Sequence, residues 1–191
     1  MNRTRHLPTL LLVIVAALAA AVYTGCGDDD DGNGGEAEAA ETFREGLREE
    51  LRGLEYNVFL TRQLNFSLPS DEHYYDGPPA PKGSSHYGVF IEVCNRAEEG
   101  EARPAATDFR IVDTQGNEFR PVELPEDNAF AYQPKLLAPR ECIPAKGSIS
   151  QLGPTGGALL LFELPIEAAE NRPLVLQIRQ GGEQINFELD I

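Results

Sequence analysis

The residues of this chain that could do chemistry are its three cysteines and two of its three histidines. A thiolate is both a nucleophile and a metal ligand. Cys26 follows a basic, apolar leader, Met1 to Gly25, and precedes an acidic, glycine-rich run. Its place behind such a leader sets it apart from the other two. Cys94 and Cys142 then remain as an even pair in an oxidising compartment, where disulfides persist. A bond between them would close a loop of about 49 residues and stabilise by roughly 4 kcal/mol on the chain-entropy relation. Two free thiols are the alternative. A redox or metal-binding pair has no CxxC spacing behind it, and Arg140 is the cation near Cys142.

His73 and His86 flank an acidic, aromatic and proline-rich stretch: Asp71, Glu72, Tyr74, Tyr75 and Asp76, then Gly77-Pro78-Pro79-Ala80-Pro81. Two imidazoles beside carboxylates are a zinc-type donor set. Their spacing matches no dedicated motif, so no metal or other cofactor is expected. The same stretch reads as a recognition loop. Tyrosine makes good contact surface, and a proline-rich segment favours polyproline II, which partners can read. The candidate recognition residues are His73, Tyr74, Tyr75, Pro78, Pro79, Pro81 and His86. The plainer reading is a surface connection between strands.

The other constellations point to no reaction. Gly153 to Gly157 (GPTGG) lacks the Lys-Ser/Thr of a phosphate loop and leads into a strand, so it reads as a turn. No serine sits in a Gly-x-Ser-x-Gly elbow. Asp28 to Asp31 lack the alternating ligands and terminal Glu of a calcium loop. Asn65-Phe66-Ser67 is a glycosylation sequon by pattern alone. Trp is absent, which disfavours a carbohydrate-binding platform. An enzyme is not expected.

The leader sets the address. Arg3 and Arg5 form a positive n-region, and Leu10 to Val22 is an unbroken apolar run. That run is shorter than the roughly 20 residues that span a bilayer. Tyr23-Thr24-Gly25-Cys26 resembles a lipobox at its last three positions, whereas Tyr23 stands where Leu is usual. The resemblance implies a lipid on Cys26 and a place on the extracytoplasmic face of the cell membrane. Two acyl chains anchor stably where one is marginal. An ordinary secretory leader and an uncleaved signal anchor are the alternatives.

Charge narrows the partners. The chain carries 31 acidic against 16 basic residues, a net of −15, and losing Arg3 and Arg5 with the leader makes it −17. Nucleic acid is excluded for want of a basic footprint. Docking on anionic lipid is disfavoured too, which leaves the membrane reached through the lipid on Cys26, and another envelope protein. The charge itself suits solubility outside the cell.

The elements that must position these residues follow three textures. Residues 1–25 are the leader. Residues 26–54 hold the lipidated cysteine, a disordered spacer (GDDDDGNGG) and a short helix, with Phe43, Leu47, Leu51 and Leu54 at helical spacing. Residues 55–191 form one domain. It is rich in β-branched and aromatic residues, and strands are expected at Tyr56–Leu68, His86–Asn95, Asp108–Asp113, Glu118–Leu124, Ala158–Leu164, Leu174–Arg179 and Gln184–Ile191. Hairpin turns fall at Thr114-Gln115-Gly116-Asn117 and Gln180-Gly181-Gly182-Glu183. Ala158–Leu164 is nearly all apolar and suits a strand buried on both faces. Seven or more strands without alternating helices predict an all-β, antiparallel, immunoglobulin-like sandwich.

The strand YGVFIEVCN, the Asp113–Phe119 hairpin (D-x-x-G-N-x-F) and the run from Gly157 through Leu159 or Leu160, Phe162 and Leu164 to Pro165 carry a resemblance. They resemble the telokin-like, immunoglobulin-like domains of secreted and lipid-anchored bacterial proteins, including the mycobacterial immunoprotective extracellular protein group. The resemblance implies an immunoglobulin-like module at the cell surface and no catalytic residues. The Cys94 and Cys142 pair and the Ser70–Ser85 insertion depart from its pattern. The expected function is a lipid-anchored binding or interaction module. A small-molecule or metal-binding envelope carrier and a structural envelope lipoprotein are the alternatives.

Overall fold

Runs of alternating apolar and polar residues build two sheets whose apolar sides face one another. The computed structural model describes residues 41–191. The leader, Cys26, the acidic spacer and the start of the expected helix lie outside the described residues. In chain order the strands are β1 (Thr42–Arg44), β2 (Arg48–Leu51), β3 (Leu54–Leu64), β4 (Ser84–Cys94), β5 (Arg103–Pro104) and β6 (Asp108–Val112). They continue with β7 (Glu118–Phe119), β8 (Leu136–Leu137), β9 (Cys142–Ile143), β10 (Ala158–Pro165), β11 (Leu174–Gln180) and β12 (Glu183–Leu189). Two short helices, α1 (Ile149–Leu152) and α2 (Ile166–Glu170), flank β10.

Sheet one runs β1-β12-β11-β6-β7. Sheet two runs β10-β4-β3-β2, with β9 also paired to β4, and β5 with β8 makes a separate ribbon. Every pairing is antiparallel except β1 on β12. The main core lies between the sheets. Tyr56, Val58, Val89, Ile91, Leu160 and Phe162 of sheet two meet Phe109, Ile111, Leu176, Ile178 and Phe187 of sheet one. The fold is the expected all-β sandwich. No helix among the described residues is long and apolar enough to cross a membrane.

The short helix is overturned. Its described part forms β1, a turn and β2, both within the sandwich. The sandwich therefore includes residues from Thr42 onward instead of starting at 55. The apolar spacing has another cause. Leu51 and Leu54 face each other across a two-residue hairpin at Arg52-Gly53, both at positive φ (54° and 75°). Phe43 packs against Phe187 of β12, and Leu47 points to solvent. Burial in two sheets outweighs the helix propensity of Glu, Leu and Arg.

Candidate functional site

The candidate face is the outer side of sheet two, and a bulge in β3 creates it. Val58 lies opposite Ile91, but Leu60 lies opposite Phe90, so Phe59 is an extra residue. A one-residue shift reverses which positions face inward. Before the bulge Tyr56 and Val58 enter the main core; after it Leu64 packs on the far side. There Leu64 joins Tyr74, Phe90, Leu159 and Leu161 in a second apolar cluster. β10 thus faces apolar neighbours on both sides, with Ala158, Leu160, Phe162 and Leu164 in the main core and Leu159 and Leu161 in the second.

Two chain segments roof this second cluster. One is residues 65–83, the stretch that holds every recognition residue except His86, which lies in β4. The other contributes Val122, Leu124 and Phe130. The bulge brings Arg62 to the same side, where its guanidinium pairs with both carboxylate oxygens of Asp71 (2.7 and 3.1 Å). Asp71 also accepts from the Asn65 backbone N–H at 2.9 Å. Its side chain is 4 % exposed. The guanidinium lies 5.8 Å from the Tyr74 ring centre and 6.0 Å from that of Phe90. The hydrogen-bonded Arg62 holds the Asp71 carboxyl below its ordinary range, against the opposing effect of burial.

The structure divides the sequence-predicted recognition residues. Tyr74 is fully buried: its ring contacts Phe90 and Phe130, and its hydroxyl shares a hydrogen bond with Thr155. His86 is also buried, at 5 % exposure. These two are anchors of the roof and not contact residues, because an apolar sheet face needed covering. His73, Pro78, Pro79 and Pro81 are exposed, and Tyr75 is half-buried. His73 stacks on Tyr74 and Phe130. His86, Phe66 and Tyr75 form a triangle of rings with centroids 5.2 to 5.4 Å apart. Burial lowers the His86 pKa, while Glu163, 4.0 Å away, opposes that shift.

The two histidines do not converge. His86 lines a depression of about 490 Å³ with Gln63, Asn65, Phe66, Ser67, Pro79 and Ser84. His73 lines a different one of about 300 Å³ with Glu72, Asp76, Asp127 and Phe130. Among the described residues, the one group of three or more close metal-type ligand atoms is Glu92, Cys94 and Cys142. Its sulfurs are spent on each other. Cys94 and Cys142 sit opposite in β4 and β9 and are bonded, with Sγ–Sγ 2.04 Å. The GPTGG stretch is the expected turn. Thr155 holds Tyr74, and Gly157 passes so close to β4 that a Cβ would lie 2.9 Å from the Ile91 nitrogen.

Sequence reasoning missed Arg62 and Phe66 as parts of this face. The signal was the apolar triplet Val58-Phe59-Leu60, which breaks the alternation where the bulge lies.

The class of protein is an all-β sandwich with one sheet roofed by its own loops. No family model and no curated protein matches the chain. Similar solved structures include an uncharacterized β-sandwich protein of Clostridium difficile 630. It shares 12% identity with a TM-score of 0.45, over 79% of this chain and 95% of that one. A candidate lipoprotein of Bacillus subtilis subsp. subtilis str. 168 (ycdA) shares 11% identity, also at a TM-score of 0.45. That match covers 76% of this chain and 38% of the other.

Proposed function

We propose that this chain is a lipid-anchored, extracytoplasmic, immunoglobulin-like module that works by binding another envelope protein and not by catalysis. The observation that carries the reading is the pinned roof. Asp71 and Tyr74 fix the base of the 65–83 excursion, so His73, Pro78, Pro79 and Pro81 project from a held support. A loop held in its bound shape loses less entropy on association. The leader and Thr24-Gly25-Cys26 support the anchor, and the strand motifs that resemble those of telokin-like domains, together with the β-sandwich, support the module.

The test is photo-crosslinking in intact cells from a reactive residue placed at Pro78 or Pro79. The expected result is a discrete adduct absent when the same group replaces Gln115, an exposed turn residue. Equal adduct patterns from both sites would overturn the contact. The anchor is tested separately, by mass analysis of Cys26. An unmodified thiol on an exported chain removes it.

A carrier of small molecules is the second reading. The depression beside Phe66 and His86 favours it over the metal-binding version, since the two histidines line separate concavities.

A further inference from the structure

The depression beside Phe66 differs in its charge from four other concavities of the described residues. The chain is 25% charged, yet the wall made by Gln63, Leu64, Asn65, Phe66, Ser67, Gly77, Pro79, Ala80 and Ser84 to His86 contains no Asp, Glu, Lys or Arg. The groove beside β10 has Asp108, Arg120, Glu123 and Glu126 in its wall. The depression around Arg179 has Asp108 and Glu183, and the one at β1 has Arg44, Glu45, Glu188 and Asp190. The His73 depression has Glu72, Asp76 and Asp127. Charged groups stand only behind this wall: Glu163 lies 4.0 Å from His86 Nε2, and Arg62 donates to the Gln63 carbonyl at 3.4 Å. The lining itself offers no formal charge to a carboxylate, a phosphate or an ammonium group. The acidic protein around it also repels anions.

What the wall does offer is a ring and short hydrogen-bonding groups. Phe66 is braced by Tyr75 and His86 at 5.2 Å each, which fixes its plane. Ser85 already accepts from Gln63 Nε2 at 3.0 Å, and Asn65 Oδ1 accepts from the Ser67 N–H at 3.1 Å. Asn65, Ser67 and Ser84 line the depression, and the Asn65 amide nitrogen and the two hydroxyls make no hydrogen bond among the described residues. A pyranose presents an apolar C–H face rimmed by hydroxyls, which matches one braced ring surrounded by neutral donors and acceptors. About 490 Å³ lies within the range of small-ligand sites and suits two or three sugar units.

We infer that the depression between Phe66 and Ser84 binds a neutral saccharide, an inference that rests on reading the chain as a binding module. The absence of Trp does not bar it, because Phe66 supplies the ring.

The experiment is saturation-transfer NMR on the full chain in a zwitterionic detergent without sugar headgroups. The probes are maltotriose, cellotriose, chitotriose, negatively charged sialyllactose and a proline-rich decapeptide. At least one neutral trisaccharide should bind, with sialyllactose weaker. Ser84→Leu should abolish that binding by removing a hydroxyl and filling the wall with a side chain that makes no hydrogen bond. Phe66→Leu and Ser67→Ala should each weaken it about fivefold, as loss of one modest contact implies. Gln115→Glu should leave it unchanged. Thermal melts establish that each variant is folded, and Ser67 is exposed, so Ser67→Ala stays informative if Phe66→Leu unfolds. The inference is overturned if no neutral trisaccharide binds, if Ser84→Leu leaves binding intact, or if the decapeptide binds there instead. Crosslinking from Pro78 reads the protein-contact proposal independently, so either can fail alone.

Discussion

Asp71 is the residue on which the roof depends most directly. Its carboxylate accepts two hydrogen bonds from Arg62 and one from the Asn65 backbone, almost out of contact with water. Removing one partner of a buried pair leaves the other unmatched, which costs more than the pair contributes. Asp71→Asn keeps the shape and discards the charge, and should destabilise by about 2 kcal/mol, the scale of a charged hydrogen bond. The pH dependence has a defined sign. Folding lowers the Asp71 pKa, so the folded state binds the proton less readily than the unfolded chain. The contribution is therefore complete above the unfolded value near pH 4 and falls away as pH drops through the lower folded value. Urea midpoints measured from pH 7 down to pH 2.5 should fall further in the parent than in Asp71→Asn. An identical acid limb in both would show that Asp71 titrates alike folded and unfolded.

At the scale of elements, the bulge in β3 decides what sheet two presents to each side. Deleting Phe59 removes the extra residue and makes Val58 and Leu60 neighbours. Val58 still lies opposite Ile91 and Leu60 opposite Phe90, so each flanking side chain keeps its side of the sheet. The deletion should therefore fold and, because Phe59 is half-buried, cost less than the roughly 3 kcal/mol of one fully buried side chain. Phe59→Leu keeps the residue count and should melt close to the parent. A deletion variant that fails to fold would mean that the bend made by the bulge, and not the facing of the side chains, holds this part of the sheet. This element also marks what could be read from the sequence. The strong strands, the two-faced burial of Ala158–Leu164 and the Gly181-Gly182 turn follow from local pattern, and the structure has them at the expected places. The positive φ of both Gly181 (58°) and Gly182 (87°) is what a two-residue hairpin demands. The helix at residues 36–54 failed because its apolar spacing was produced by a hairpin, and one segment cannot tell those origins apart. The site was half legible. The loop and its prolines stood out by composition, but burial of Tyr74 and His86 depends on the loop folding back over the outer face of sheet two, a long-range contact that no local pattern reports.

For the molecule as a whole, the consequential correction is that residues 42–54 belong to the sandwich. They tie its two sheets together. β1 extends sheet one and β2 extends sheet two, so the chain crosses from one layer to the other within a few residues. At that crossing the Glu45 carboxylate accepts from the Thr61 N–H beside the β3 bulge (2.8 Å) and from the Asp190 N–H beyond β12 (3.1 Å). Leu51 and Leu54 are almost wholly buried in the main core, and Phe43 covers its margin. A chain starting at Glu55, the boundary that composition suggests, loses all of this. Two buried leucines alone are worth about 1.5–3 kcal/mol each, against a total stability of roughly 5–15 kcal/mol for a domain. It also bares the edges of β3 and β12, which can then pair with other chains. The chain starting at Glu41 should melt cooperatively and stay monodisperse. The chain starting at Glu55 should melt more than about 10 °C lower or aggregate, as two or more lost contacts of this size imply. Calorimetry with size-exclusion chromatography reads both, and matching melts would show that β1 and β2 only decorate a sandwich complete without them.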